Sequence, residues 1–292
     1  YPALILSDPL ADALDPDFPL NRFNHVILYV PSETPDEAPI WLEATSSLHP
    51  FGQIGASNED RWALVVTPEG GRLERTPAST AADNHEARTA TVALVPNGTA
   101  TVNLRLAYTG ARRDRVRGTL WDEPPTERTN WLRGRLSQGA NLDATDFAAV
   151  DTRSDTLALA AALKLTRYAT KVGSRLFVQP SGLMQPLWVP SEAGLRTQPV
   201  RFGHPYLVTD DITIQLPSGY TVEALPDPVV LESEVGRYEA RSEVSADGTL
   251  RFVRHFEVHT ARLPAEAYTD VRAFFVAAAR ADAEQIVLKR GG

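Results

Sequence analysis

Ala90-Thr91-Val92-Ala93-Leu94-Val95-Pro96-Asn97-Gly98-Thr99-Ala100-Thr101-Val102-Asn103-Leu104-Arg105-Leu106-Ala107-Tyr108 carries an alternating apolar pattern on both sides of Pro96-Asn97-Gly98. A period of two puts Ala90, Val92 and Leu94 on one face of a strand, and Ala100, Val102, Leu104, Leu106 and Tyr108 on one face of its partner. Asn and Gly both tolerate positive φ, so Asn97-Gly98 between two such runs predicts a β-hairpin. Downstream, Leu157, Leu159, Ala161, Leu163 and Leu165 recur every second residue. They read as a strand, against the helical preference of the alanines between them. Further strands are expected at 175–179, 186–189, 207–216, 219–225 and 286–288, with Asp247-Gly248 joining strands 237–244 and 249–259. Helical spacing is expected over 126–138, behind a Thr126 cap, and over 264–281, behind Pro264. Many short strands with Pro, Gly and Asp turns and one or two helices predict a mainly β (α+β) chain, with a β-sandwich over 87–292.

Upstream of the hairpin, strands are expected at 1–6, 23–30 and 40–46, with a polar loop at Ser7-Asp8-Pro9, Asp12, Asp15-Pro16-Asp17 and Pro19. Residues 1–55 form one unit in this reading and residues 56–86 a connector. The connector holds a single strand, Trp62-Ala63-Leu64-Val65-Val66, before the turn Glu69-Gly70-Gly71.

Composition narrows the partners. The chain has 292 residues, with 29 Lys and Arg against 37 Asp and Glu, a formal net charge of −8. That balance argues against nucleic acid, whose phosphates require concentrated positive charge. The one basic run, Arg112-Arg113-Asp114-Arg115-Val116-Arg117, reads as a solvated strand end. No apolar run approaches the roughly 20 residues of a membrane-spanning helix, so no membrane insertion is expected. There is no cysteine and a single methionine, Met184. The chain is therefore expected to be part of a longer gene product, extending upstream of Tyr1.

Two residues stand out chemically. In the stretch 23–30, His25 shares a face with Phe23, Ile27 and Tyr29, while Val26, Leu28 and Val30 take the other. Glu43 lies in the next strand. Opposed side chains on antiparallel strands approach within about 5 Å at Cβ, so a His25–Glu43 hydrogen bond is feasible. His255 and His259 are roughly 13 Å apart on an extended strand, too far to share one ion, so no metal site is expected. His49, His85 and His204 read as surface residues. The five tryptophans read as packing residues. Asn97-Gly98-Thr99 matches a glycosylation acceptor, but the hairpin turn accounts for it. No phosphate-binding glycine loop or cofactor motif is present.

The strings YPALI (1–5), FNHVILYVP (23–31) and WLEATSSLHPFG (41–52) resemble the second half of the transglutaminase-like core of bacterial proteins that carry DUF3857-type β domains. ERTPASTAADN (74–84), LPSGYTVEALP (216–226), ADGTLRFVRHFEV (246–258) and PAEAYTDVRAFF (264–275) resemble the C-terminal β domain of the same proteins. The resemblance implies the β half of a papain-like core, with His25 as general base and acid and Glu43 as the acid that orients it. In the family that acid is usually aspartate, and the cysteine nucleophile opens a helix upstream. It implies thiol-dependent acyl transfer, either amide hydrolysis or transamidation, on a protein or peptide substrate. It also implies that the partner is the upstream part of the same protein and that the location is the bacterial periplasm or cell envelope. The second reading is a non-enzymatic β-sandwich module that binds a protein or glycan. Faces of the first strands that include Tyr1, Leu4, Phe23 and Ile27 are expected to lie open for the missing helix.

Overall fold

The computed structural model describes all residues except 9–13, 18–21, 35, 137–141, 144–153, 193, 195 and 292, and the backbone alone of 142–143. The expected loop positions Asp12 and Pro19 and the end of the expected helix at Gln138 lie outside the described residues.

Five strands open the chain: β1 (Pro2–Ile5), β2 (His25–Val30), β3 (Ile40–Leu42), β4 (Trp62–Thr67) and β5 (Gly70–Arg75). They form an antiparallel sheet in the order β3-β2-β1-β4-β5. Residues 62–75, expected to belong to a connector, thus supply two of its strands, and Ala3, Leu4 and Ile5 pair with Val65, Leu64 and Ala63. The sequence gives no sign of β5, because Gly70-Gly71-Arg72-Leu73-Glu74-Arg75 has one apolar residue and no alternation. On one face Ala3, Ile5, Ile27, Tyr29, Trp41, Ala63 and Val65 cluster with Ile54 from the loop after β3. Ile27 is completely buried by this same chain, which corrects the expectation that it lies open. The open apolar face is the reverse one, where Val26, Leu28, Val30, Ile40 and Val66 are each about 40% exposed.

The larger part begins with β6 (His85–Leu94) and β7 (Ala100–Tyr108), followed by helices α1 (Gly110–Leu120) and α2 (Pro125–Arg135). It continues with β8 (Leu142–Asp143), β9 (Leu157–Leu165), β10 (Ala169–Val172), β11 (Arg175–Val178), β12 (Val200–Arg201) and β13 (Tyr206–Gln215). Then come β14 (Tyr220–Ala224), β15 (Val229–Glu232), β16 (Gly236–Val244), β17 (Leu250–Val258), β18 (Arg262–Leu263), α3 (Tyr268–Asp282) and β19 (Ile286–Arg290). An eight-stranded sheet runs β15-β16-β17-β13-β6-β7-β9-β8, and a four-stranded sheet runs β10-β11-β19-β14. Alternate residues of both sheets, with Val271, Phe274, Phe275 and Ala278 of α3, form one apolar core. This is the mainly β, α+β class that the alternation predicts. β9 buries every second residue from Leu157 to Leu165, so the strand reading prevails over the alanines.

The predicted hairpin is β6–β7, paired from Glu86–Tyr108 to Leu94–Ala100. Gly98 has φ +89°, and a Cβ there would lie 2.2 Å from the Ala169 carbonyl oxygen. The Ala169 N–H donates to the Gly98 carbonyl, so the turn is also a docking point for the start of β10.

Three local expectations are corrected. The run Arg112–Arg117 is the middle of helix α1, not a strand end. Its buried positions, Arg113, Val116, Arg117 and Leu120, follow helical spacing, but arginine at two of the four hides the apolar stripe. Residues 186–189 form no strand. Helix α2 starts at Pro125 instead of behind Thr126, with the missing N–H at a position where no helical hydrogen bond is made. No helix among the described residues is long and apolar enough to cross a membrane.

Candidate functional site

β2 and β3 meet with Leu28 opposite Leu42 and Tyr29 opposite Trp41. That register places Glu43, the next residue, level with Ile27 and on the same face as His25. The two are diagonal neighbours, within reach of a long side chain. His25 Nε2 lies 2.6 Å from Glu43 Oε2. A carboxylate only accepts, so Nε2 carries the proton and donates it, which leaves Nδ1 as the basic nitrogen of the neutral ring. Nδ1 has no hydrogen-bond partner among the described residues. The His25 side chain is 23% exposed and that of Glu43 only 4%.

Glu43 is held at both oxygens. The Thr45 backbone N–H and hydroxyl donate to Oε1 at 2.7 and 2.6 Å, and Asn58 Nδ2 donates to Oε2 at 3.2 Å. The same Asn58 amide donates to the Ile54 carbonyl at 2.8 Å, and the Thr76 hydroxyl holds the Asn58 carbonyl. Burial pushes the Glu43 carboxyl up, but the bonds from Thr45 and His25 outweigh it and hold it below the usual carboxylate range. The acid stays ionised, fixing both the tautomer and the orientation of the ring.

Helix α1 steadies the loop that supplies Asn58. The Arg117 guanidinium donates to the carbonyls of Leu48 and Ser154 at 3.0 and 2.6 Å. Arg113 donates to the Gln53 side chain and the Asp155 carbonyl. His49 Nε2 stands 3.4 Å from Asp114. Both arginines are fully buried, so these bonds also satisfy charges that would otherwise be costly inside the protein. His49, expected at the surface, is thus part of this joint. The other two histidines are also partly buried: His85 Nε2 lies 2.8 Å from the Thr209 hydroxyl, and burial beside Arg112 and Arg115 lowers His204 to about 4.

A second polar cluster lies inside the eight-stranded sheet. β6, β13 and β17 are in register with Arg88 opposite Asp210 and Asp210 opposite Arg254. Asp210 and Arg254 each interrupt an otherwise apolar inward row, as in Leu250, Phe252, Arg254, Phe256 and Val258 of β17, and in β6 Arg88 stands beside a second inward charge, Glu86. Read across strands, the three residues fall at one level, a signal visible in the sequence once the strand order is known. Arg254 pairs with Asp210 at 2.7 Å and with Asp282 at the end of α3, whose other oxygen accepts from the Tyr238 hydroxyl at 2.7 Å. Arg88 lies 3.6 Å from Asp210 and 2.9 Å from Glu86. Glu86 also binds Arg112 at 2.7 Å and Arg135 at 3.3 Å. Burial raises the Glu86 carboxyl, but Arg88, Arg135 and Arg112 bring it down to about 2. Burial dominates at Asp282 and pushes it up.

Comparison with known proteins gives one structural likeness over nearly the whole chain and one family match over part of it. No curated protein matches it. A solved crystal structure of a "putative protease" from Parabacteroides distasonis ATCC 8503 is similar at 11% identity with a TM-score of 0.43. The similarity covers 99% of this chain and 39% of that one, so the chain spans well under half of that protein's length. Residues 175–288, from β11 into β19, match DUF3858, a domain of unknown function with solved structure, and His25 and Glu43 lie outside the matched region.

Proposed function

We propose that His25 and Glu43 are the base and its orienting acid in a thiol-dependent acyl-transfer site acting on amides. The observation that carries this reading is the 2.6 Å bond from His25 Nε2 to a clamped, ionised Glu43, which leaves Nδ1 to face a reactant. A thiol placed at Nδ1 gives up its proton to the ring, and the thiolate attacks the substrate carbonyl. Glu43 stabilises the imidazolium, which then protonates the departing amine. Water or a second amine, deprotonated by the same nitrogen, releases the acyl group as acid or as new amide. Glutamate fills the role the related family gives to aspartate, and Thr45 restrains its longer side chain.

The chain has no cysteine, so this proposal takes the nucleophile from an upstream part of the same protein and expects the chain alone to be inactive. The transglutaminase-like core, a protein or peptide substrate and the periplasmic or envelope location belong to this proposal, which rests on the sequence resemblance. The non-enzymatic binding reading predicts no activity in any form of the protein.

The test is amide hydrolysis and amine incorporation by the protein carrying the upstream cysteine-bearing segment. His25→Ala is expected to lower the rate by about 10² to 10⁴, the range for loss of general acid–base catalysis. Undiminished activity in His25→Ala would remove His25 from the mechanism, and absence of activity in the longer wild-type protein would favour the binding reading.

A further inference from the structure

The buried network of the eight-stranded sheet borders a cavity. Followed from its inner end, it alternates in sign: Asp282, Arg254, Asp210, Arg88, Glu86, then Arg112 and Arg135 together. Three carboxylates face four guanidinium groups, and the surplus positive charge sits at the outer end. Both terminal arginines rely on Glu86 alone for their charge partner among the described residues. They are also the most accessible, with side chains 23% and 34% exposed, whereas Arg254 is 8% exposed.

Beside them is a cavity of about 320 Å³ whose wall holds Arg112, Arg135, Arg88 and Arg254 with the single carboxylate Glu86, and whose apolar side includes Trp188. Its size matches the lower end of small-molecule sites, and its mixed apolar and convergent polar walls match their character. The arginines are preset. Arg112 lies over the Tyr206 ring, 4.2 Å from its centre, and Arg135 lies over Trp131 at 5.0 Å. Their Nε atoms are buried without a hydrogen-bond partner, as is the hydroxyl of Tyr108, which sits opposite Glu86 on β7. Trp188, 67% exposed at the rim, offers a ring face to the rest of a ligand.

We infer that this cavity binds a monocarboxylate whose aromatic or apolar body rests against Trp188. The charge count selects the anion. One carboxylate continues the alternation and neutralises the surplus, and its two oxygens fit the guanidinium forks. A phosphate near −2 would leave the buried network negative. The site is distinct from His25 and Glu43 and holds whether or not those residues are catalytic.

The probe is phenylacetate, titrated into the 292-residue chain by ligand-observed NMR, with phenylacetamide as the neutral isostere and inorganic phosphate as competitor. Saturable phenylacetate binding is expected, with at least tenfold weaker binding of the amide and no displacement by equimolar phosphate. Arg135→Gln, at the accessible end of the network, is expected to weaken phenylacetate at least tenfold with little change in Tm. Trp188→Ala, at an exposed site, is expected to weaken phenylacetate and phenylacetamide alike. Equal affinity for acid and amide, no saturable binding, preferential binding of phosphate, or full affinity in folded Arg135→Gln would each overturn the inference.

Discussion

At the residue scale, Glu43 links fold and chemistry. Its depressed carboxyl pKa means that the folded state favours the ionised form, so it contributes stability above the unfolded carboxyl value near 4.5. That contribution is lost as pH falls through the lower folded value. Glu86 behaves likewise over a wider window, from about 4.5 to about 2, and its shift corresponds to roughly 3 kcal/mol. Acid titration of stability followed by circular dichroism is expected to show wild type losing stability below pH 4.5. Glu86→Gln should flatten much of that slope, and an unchanged slope would contradict the assignment. Asn58, 2% exposed and bridging Glu43 to the Ile54 carbonyl, is expected to lose about 1–3 kcal/mol on replacement by Ala, measured by urea unfolding. The strand pattern made a His25–Glu43 hydrogen bond feasible, and the structure has it, whereas their proposed catalytic role rests on the resemblance. Asn58 and Thr45 were not legible, because their role depends on how the loop after β3 folds back, which no short-range pattern encodes.

At the scale of elements, the strands with one apolar face were readable and those without were not. β6, β7, β9 and β17 announce themselves by alternation, and Asn97-Gly98 fixes the hairpin. Gly98→Val combines a disallowed φ with a clash against the Ala169 carbonyl, so it is expected to destabilise by more than the ~1 kcal/mol of an ordinary glycine replacement. Thermal unfolding checks it, and a neutral result would contradict the close approach. Helix α1 stayed hidden because two of its four inward positions are arginines whose partners lie far along the chain, 69 residues away for the Leu48 carbonyl that Arg117 binds. The row Arg88–Asp210–Arg254 was hidden for a related reason, since it exists only after parallel pairing of β13 with β6 brings distant polar residues level. Removing one member leaves a buried charge uncompensated. Arg254→Ala is expected to cost about 3–5 kcal/mol by denaturant unfolding, and a cost under 1 kcal/mol would show that the row does not act as a unit.

At the scale of the molecule, a five-stranded sheet that carries the histidine–acid pair is joined, through α1 and the loop after β3, to a larger β structure with its own charged cavity. The mainly β class followed from alternation alone, whereas sheet membership of β4 and β5 required long-range pairing. The central claim concerns His25, Glu43 and a thiol, and it is tested most directly by the pH dependence of thiol alkylation in the protein carrying the upstream segment. A cysteine paired with His25 should react as a thiolate well below the usual thiol pKa near 8.5, and His25→Ala should return its profile to about that value. An alkylation profile that is the same in wild type and His25→Ala would contradict the account.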